Sequence, residues 1–221
     1  MGFVNVVASC LNLRYAARME PVSWNVVVVG AWNPAILTPA WVGKTIFGLP
    51  AGSPVDVLVP MDSFGRPPFQ VRHDGVLVEL AAQQLIIQLT SASADSLEKA
   101  KTGAQAAIAD LPRTPLQACG INLRFSAPEP PSELLARTRS ETEQILSDAG
   151  YVIHTRRRGE TLVFRDGKLN ITMDVPTTGA CVVTVNFERV SESAEDIVGW
   201  LRRPASEYVE EAEKIIALLS E

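Results

Sequence analysis

The chain has 221 residues, with 20 Lys and Arg against 25 Asp and Glu and a formal net charge of -5. A hydrophobic share of 47% beside 20% charged residues is the composition of a folded globular protein and excludes extended disorder. Net acidity argues against a surface devoted to nucleic acid, and no apolar run reaches the roughly 18 residues that span a bilayer.

Residues 1–24 form an N-terminal extension or an extra edge strand. Leu11, Leu13 and Tyr15 alternate as a strand would, and the pattern tightens only after Met19. The opening residues lack the basic start and unbroken apolar stretch of a secretory signal. Cys10, Cys119 and Cys181 are odd in number, widely spaced and free of any CxxC pair. That usage fits a reducing cytoplasm rather than a disulfide framework or a zinc site.

From residue 25 the chain reads as NVVVVG, a buried strand, and PAWVGKTIFG, a short helix with Thr38 as its cap and Pro39 in its first turn. VDVLVPM, PFQVRH, GVLVEL and LIIQLT follow as four strands, with Asp74-Gly75 as a hairpin turn. A helix from about Ala94 to Leu111 buries Leu97, Ala100, Ala104, Ile108 and Leu111 on one face. LQACGINLRF then opens the second half.

The second half continues with a helix from about Ser132 to Ala149, stopped by Gly150. YVIHTRR, ETLVFRD, KLNITMDV and ACVVTVNFERV read as a four-stranded antiparallel meander. Its turns fall at Arg158-Gly159, at Asp166-Gly167 and between Pro176 and Gly179. A last helix starts near Ala194, with Ser193 and Asp196 as a capping pair, and Pro204 breaks it. SASADSL (91–97) and SESAEDI (191–197) stand at matching junctions.

Residues 25–114 and 115–221 thus share the order strand, helix, four strands, helix. That order resembles the duplicated fold of the TATA-box-binding protein family. The resemblance covers about residues 25 to 219 and rests on element order, since no motif of that family occurs. It implies an α+β fold of two β-α-β4-α repeats, forming a curved antiparallel sheet with helices on one face.

Strand alternation then assigns side chains to the open face. Asn170, Thr172, Asp174, Thr184, Asn186 and Glu188 fall there from the second half. Asp56, Leu58, Gln70, Arg72, Leu77, Glu79, Gln88 and Thr90 fall there from the first. Asp56, Glu79, Asp174 and Glu188 against Arg72, with Arg165 as a further candidate, would repel a phosphate backbone. A nucleic-acid saddle is therefore disfavoured. Arg156, Arg157 and Arg158 at a hairpin tip are the local candidate for anion contact.

Catalytic signatures are absent from the sequence. His73 and His154 have no ligand partner at metal spacing, and Cys119 beside Gly120 reads as a small core residue. No phosphate loop, nucleophile elbow or dinucleotide fingerprint occurs, so neither a cofactor nor a metal is expected. The most distinctive stretch, WNPAILTPAW, offers Trp32 and Trp41, and the loop MDSFGRPPF offers Phe64 and Arg66. The expected function is a non-catalytic protein-interaction or self-associating module. Its candidate contacts are Trp32, Trp41, Phe64, Arg66, Arg72, Glu79, Asn170, Asp174, Asn186 and Glu188. The alternative is a small-molecule or nucleotide binder, with or without enzymatic activity, using a crevice between sheet and helices, and the second alternative is nucleic-acid contact through Arg156, Arg157 and Arg158.

Overall fold

The structure is a computed structural model that describes residues 18–59 and 69–220. The expectations for residues 1–17, Phe64 and Arg66 lie outside the described residues. Within them, nine strands form one antiparallel, open, curved sheet, and six α-helices accompany it. The strands are β1 (Glu20–Gly30), β2 (Asp56–Leu58), β3 (Gln70–His73), β4 (Val76–Ala81), β5 (Gln84–Leu89), β6 (Leu116–Ala127), β7 (Thr155–Phe164), β8 (Gly167–Pro176) and β9 (Cys181–Val190). Their order across the sheet is β2-β3-β4-β5-β1-β6-β9-β8-β7. The middle belongs to β1 and β6, and strands then appear in reverse chain order on both sides.

Alternation along the strands decides the two faces. In β1, Trp24, Val26 and Val28 are buried while Asn25, Val27 and Val29 stay half-exposed. In β8, Leu169, Ile171, Met173 and Val175 are buried, and in β9 so are Cys181, Val183, Val185 and Phe187. The expected partition of β8 and β9 is therefore correct.

Helices cover the buried side. Helix α2 (Ala94–Asp110) lays Leu97, Ala100, Ala104 and Ile108 on β1 and β5, and Ser93 caps it by accepting the Ser96 N–H. The short α1 (Pro39–Trp41), capped by Thr38, runs into a π-helical segment, Val42–Ile46, that packs on α2. Gly103 makes that approach possible, because a Cβ there would lie 2.8 Å from Ile46 Cγ2. Helices α5 (Ala194–Leu201) and α6 (Ala205–Ser220) close the second half, separated at Pro204 as its missing N–H requires. They bring Trp200 and Tyr208 onto Phe187 and Phe164, with Tyr208 Oη donating to the Trp200 carbonyl at 2.8 Å.

Three local expectations need correction. The helix expected over 132–149 is two helices, α3 (Ser132–Thr138) and α4 (Glu141–Asp148), because Arg139 is extended and Ser140 caps a new start at the Glu143 N–H. YVIHTRR and ETLVFRD are not a hairpin: residues from Thr155 onward form the single strand β7, paired without interruption to β8. Gly159 simply faces Thr172 inside that ladder. The following turn is one residue earlier than Asp166-Gly167. Phe164 pairs with Gly167, leaving Arg165 and Asp166 as the loop, with Arg165 at φ 54°. Gly167 is needed for space, since a Cβ would lie 2.4 Å from the Glu188 carbonyl and 2.7 Å from the Trp200 ring. The Asp74-Gly75 turn is as expected, both residues having positive φ as a tight hairpin demands.

Candidate interaction surface

One row of directly opposed residues crosses all nine strands on the open face. It reads Asp56, Arg72, Leu77, Gln88, Asn25, Asn122, Asn186, Asn170, Thr161. Over its last five positions the side chains are hydrogen-bonded in series. Thr161 Oγ1 donates to Asn170 Oδ1 (2.9 Å) and Asn170 Nδ2 to Asn186 Oδ1 (2.9 Å). Asn186 Nδ2 then donates to Asn122 Oδ1 (2.8 Å) and Asn122 Nδ2 to Asn25 Oδ1 (2.7 Å). Every donor points toward β1, an alignment in which each bond polarises the next.

The local sequence builds this ladder. Each Asn occupies a half-exposed position between buried apolar neighbours on its strand, so the sheet's alternation forces it outward. Gly120, on β6 beside Asn122, keeps the space open, since a Cβ there would stand 3.0 Å from Asn186 Nδ2. Sequence reading placed Asn170 and Asn186 on this face but missed Asn25 and Asn122. The alternation of NVVVV and of GINLRF around these residues carries the signal that would have found them.

Ion pairs flank the ladder. Arg72 Nη2 meets Asp56 Oδ2 at 3.2 Å, Arg157 Nε meets Asp174 Oδ1 at 2.5 Å, and Gln70 Nε2 donates to Glu79 Oε1 at 2.8 Å. Glu188 accepts from Asn170 Nδ2 at 3.1 Å. The expected balance of charge on this face needs revision. Arg165 is at the β7–β8 turn and pairs with Glu207 on α6. Arg124, Arg157 and Lys168 stand on the open face instead, by the alternation of β6, β7 and β8.

The remaining candidates separate. Trp32 is 2% exposed and donates its indole N–H to the Val28 carbonyl at 3.1 Å, so it is core and offers no outward anchor. Trp41 is half-buried, its indole N–H held by Asp110 Oδ2 at 2.7 Å. The arginine trio sits in the body of β7 and not at a tip, because Gly159 makes no turn. Arg156 is paired with Glu143 of α4, Arg157 with Asp174 and Arg158 with Glu160. All three charges are thus already answered by carboxylates.

Cys119 is 1% exposed, and burial pushes its thiol up to about 12. Burial also raises Cys181. Neither environment favours a thiolate nucleophile. A cleft of about 500 Å³ lined by Phe47, His73, Asp74, Lys99 and Thr102 lies beside α2. Lys99 is bound there to Asp74 at 2.8 Å, which holds the Asp74 carboxyl below its ordinary range. A larger groove of about 930 Å³ runs between Met19, Phe125, the loop before α3 and the end of α6. No group of three or more His, Cys, Asp or Glu among the described residues could hold a metal ion. No described helix is long and apolar enough to cross a membrane. No protein-family model and no curated protein matches the chain.

Proposed function

We propose that this protein is a non-catalytic interaction module that binds a protein partner through the open face of its sheet. The observation that carries the reading is the asparagine ladder from Asn25 to Asn170. Asn122 and Asn186 each spend one amide hydrogen and one lone pair within the ladder and keep one of each for a partner. A fixed array of both donors and acceptors suits peptide groups, which supply both, better than phosphodiesters, which only accept. Asp56, Glu79, Asp174 and Glu188 share that face with Arg72, Arg124, Arg157 and Lys168, a balance of charge that offers a phosphate backbone no net attraction. Side chains already held in one rotamer also lose little entropy on binding.

The strand order about β1 and β6 supports reading residues 25–114 and 115–221 as two related repeats, in the manner of the TATA-box-binding protein family. On that reading β2 has no counterpart outside β7. Fold likeness carries no function by itself, and the face chemistry here argues for a protein rather than a duplex. Buried, unbridged Cys119 and Cys181 suit a cytoplasmic location.

Site-specific photo-crosslinking in cells tests the proposal. A crosslinker at Thr184 or Thr172 is expected to capture a discrete polypeptide, and capture is expected to fail when Asn186→Arg is added. One at Glu210 on α6 serves as the control. Equal capture from both positions, or none from the sheet face, would remove the face as the binding surface.

A further inference from the structure

The two edges of the sheet are built differently. The β2 edge is three residues long and follows Pro54, which is how natural sheets blunt an edge. The β7 edge runs ten residues, without proline and without a bulge in its register to β8. Its side chains are exposed from Arg157 to Val163, with Leu162 48% and Val163 88% accessible. Of its arginines, Arg156 and Arg157 are drawn away toward Glu143 and Asp174, and Arg158 is neutralised by Glu160 on β7 itself.

Hydrogen-bond parity follows from the hairpin. Phe164 and Gly167 close a two-residue loop, so they form a hydrogen-bonded pair, and such pairs alternate along the ladder. Residues 156, 158, 160, 162 and 164 therefore spend their backbone groups on β8. Thr155, Arg157, Gly159, Thr161 and Val163 turn theirs outward.

We infer that β7 pairs antiparallel with β7 of a second copy of this chain, about a two-fold axis at Gly159. In that register Gly159 faces Gly159, Arg157 faces Thr161 and Thr155 faces Val163, and all are residues whose N–H and C=O point outward. Arg158 and Glu160 then lie opposite each other twice, at the closer, non-hydrogen-bonded positions where cross-strand charges interact most. Backbone parity allows every second register, and among these the one centred on Gly159 makes the segment Arg158-Gly159-Glu160 complementary to itself in charge. A slip by one residue would set outward-facing groups against inward-facing ones. Lacking a Cβ, Gly159 leaves the axis uncrowded where two strands first meet. This interface is independent of the open face, because it uses the sheet's edge.

Sedimentation equilibrium of the full chain at about 1 to 100 μM tests the inference over the affinity range expected of a modest interface. The wild type is expected to dimerise, and Arg158→Glu and Glu160→Arg are each expected to weaken the dimer roughly tenfold or more by opposing like charges twice. Mixing the two single variants restores both opposite-charge pairs, so the mixture is expected to form a heterodimer of about wild-type affinity. The double variant R158E/E160R is expected to do the same as a homodimer. Circular dichroism of each variant separates loss of pairing from loss of fold. A wild-type monomer throughout that range would overturn the inference, as would a dimer indifferent to either single reversal or a mixture that stays monomeric. The photo-crosslinking outcome at Thr184 does not depend on any of these.

Discussion

Lys101 and Glu98 form an ion pair on one turn of α2, 2.7 Å from Nζ to Oε2, and each reaches across to the second half of the chain. Lys101 Nζ also donates to the Arg203 carbonyl, and Glu98 Oε2 also accepts the Ala205 N–H at 2.8 Å. The pair therefore clasps the chain on either side of Pro204, satisfying the carbonyl before it and the first free N–H of α6 after it.

The two ends of that pair differ in burial, so their substitutions are expected to differ in cost. Lys101 is fully buried, whereas the Glu98 side chain is 47% exposed. Glu98→Ala leaves a buried ammonium without its counter-ion and an uncapped helix start, a loss of about 3 kcal/mol after allowing for solvent screening. Lys101→Met removes the charge together with its need for a partner, so about 1 kcal/mol is expected. Urea unfolding of both variants checks the order. A costlier Lys101→Met would mean that the clasp acts through the lysine's contacts and not through its charge.

Gly167 is expected to be the least replaceable glycine of the β7–β8 hairpin. Its Cβ would meet the Glu188 carbonyl at 2.4 Å and the Trp200 ring at 2.7 Å, neither of which can move without disturbing β9 or α5. Gly167→Ala should cost about 2 kcal/mol by overpacking. Gly159→Ala places its nearest contact at 3.8 Å and should stay within about 0.5 kcal/mol. Midpoints of denaturant unfolding, compared at constant slope, distinguish the two.

Breaking the ladder at its middle is expected to weaken the protein only modestly. Asn186→Ala strips the acceptor from Asn170 and the donor from Asn122, both half-exposed groups that water can reach. The expected loss is about 1 kcal/mol. Amide exchange should quicken at the Asn170 side chain, whose N–H loses its acceptor, while the Asn122 amide, still donating to Asn25, and the backbone of β6 and β8 stay protected. Loss of backbone protection would show that the ladder holds the strands together, a larger role than the one argued above.

Stability is expected to fall toward both extremes of pH, for different groups. Burial raises Cys119 from 9.0 to about 12 and also raises Tyr208. A group whose pKa is higher when folded contributes fully below its unfolded value and is lost as pH climbs through the folded one. The melting temperature should therefore decline from about pH 9 upward, and Cys119→Val should flatten part of that decline. At low pH the sign reverses. Hydrogen bonds from Arg156 to Glu143 and from Arg203 to Asp166 lower both carboxyls, so their contribution is present above the ordinary carboxylate range and vanishes as pH falls through the depressed values. Thermal melts from pH 2 to 11 test both limbs, over a range set by these ordinary and shifted values.

Thiol labelling gives a separate check on the core. Cys119 and Cys181 are both buried, and a thiol held protonated is slow to react. Neither should react with a thiol reagent in the native protein at neutral pH, and both should react in denaturant. Rapid native labelling of Cys119 would place β6 at the surface, against the arrangement described.

What the sequence determined by itself was local. Periodicity marked β1 to β6, β8 and β9, and turn and cap chemistry marked Asp74-Gly75, Thr38-Pro39, Ser193 and Pro204. Each of these is decided by a few adjacent residues and their preferred backbone angles. Alternation also put Asn170, Asn186, Arg72 and Glu79 on the face where they stand. Other features were legible but outweighed by stronger neighbours: Ser140 three residues before Glu143 signals a new helix start inside an apparently continuous one. Lys101 lies four residues after Leu97 and three before Ala104, on the buried face, where its charge argued for solvent.

The tertiary structure decided whatever depends on partners far apart in the chain. Gly159 is permissive, and only its pairing to Thr172 makes β7 one strand and moves the arginine trio from a turn into a sheet edge. Trp32 is core because the Val28 carbonyl and the surrounding apolar layer receive it. Asn25 and Asn122 become one hydrogen-bonded pair only when β1 and β6 lie side by side at the centre of the sheet, 97 residues apart in the chain. The opening count of 20 basic and 25 acidic residues left the charge of each surface open. Pairing resolved it, since Arg72, Arg156, Arg157 and Arg158 each meet a carboxylate that strand register or a neighbouring segment brings within reach.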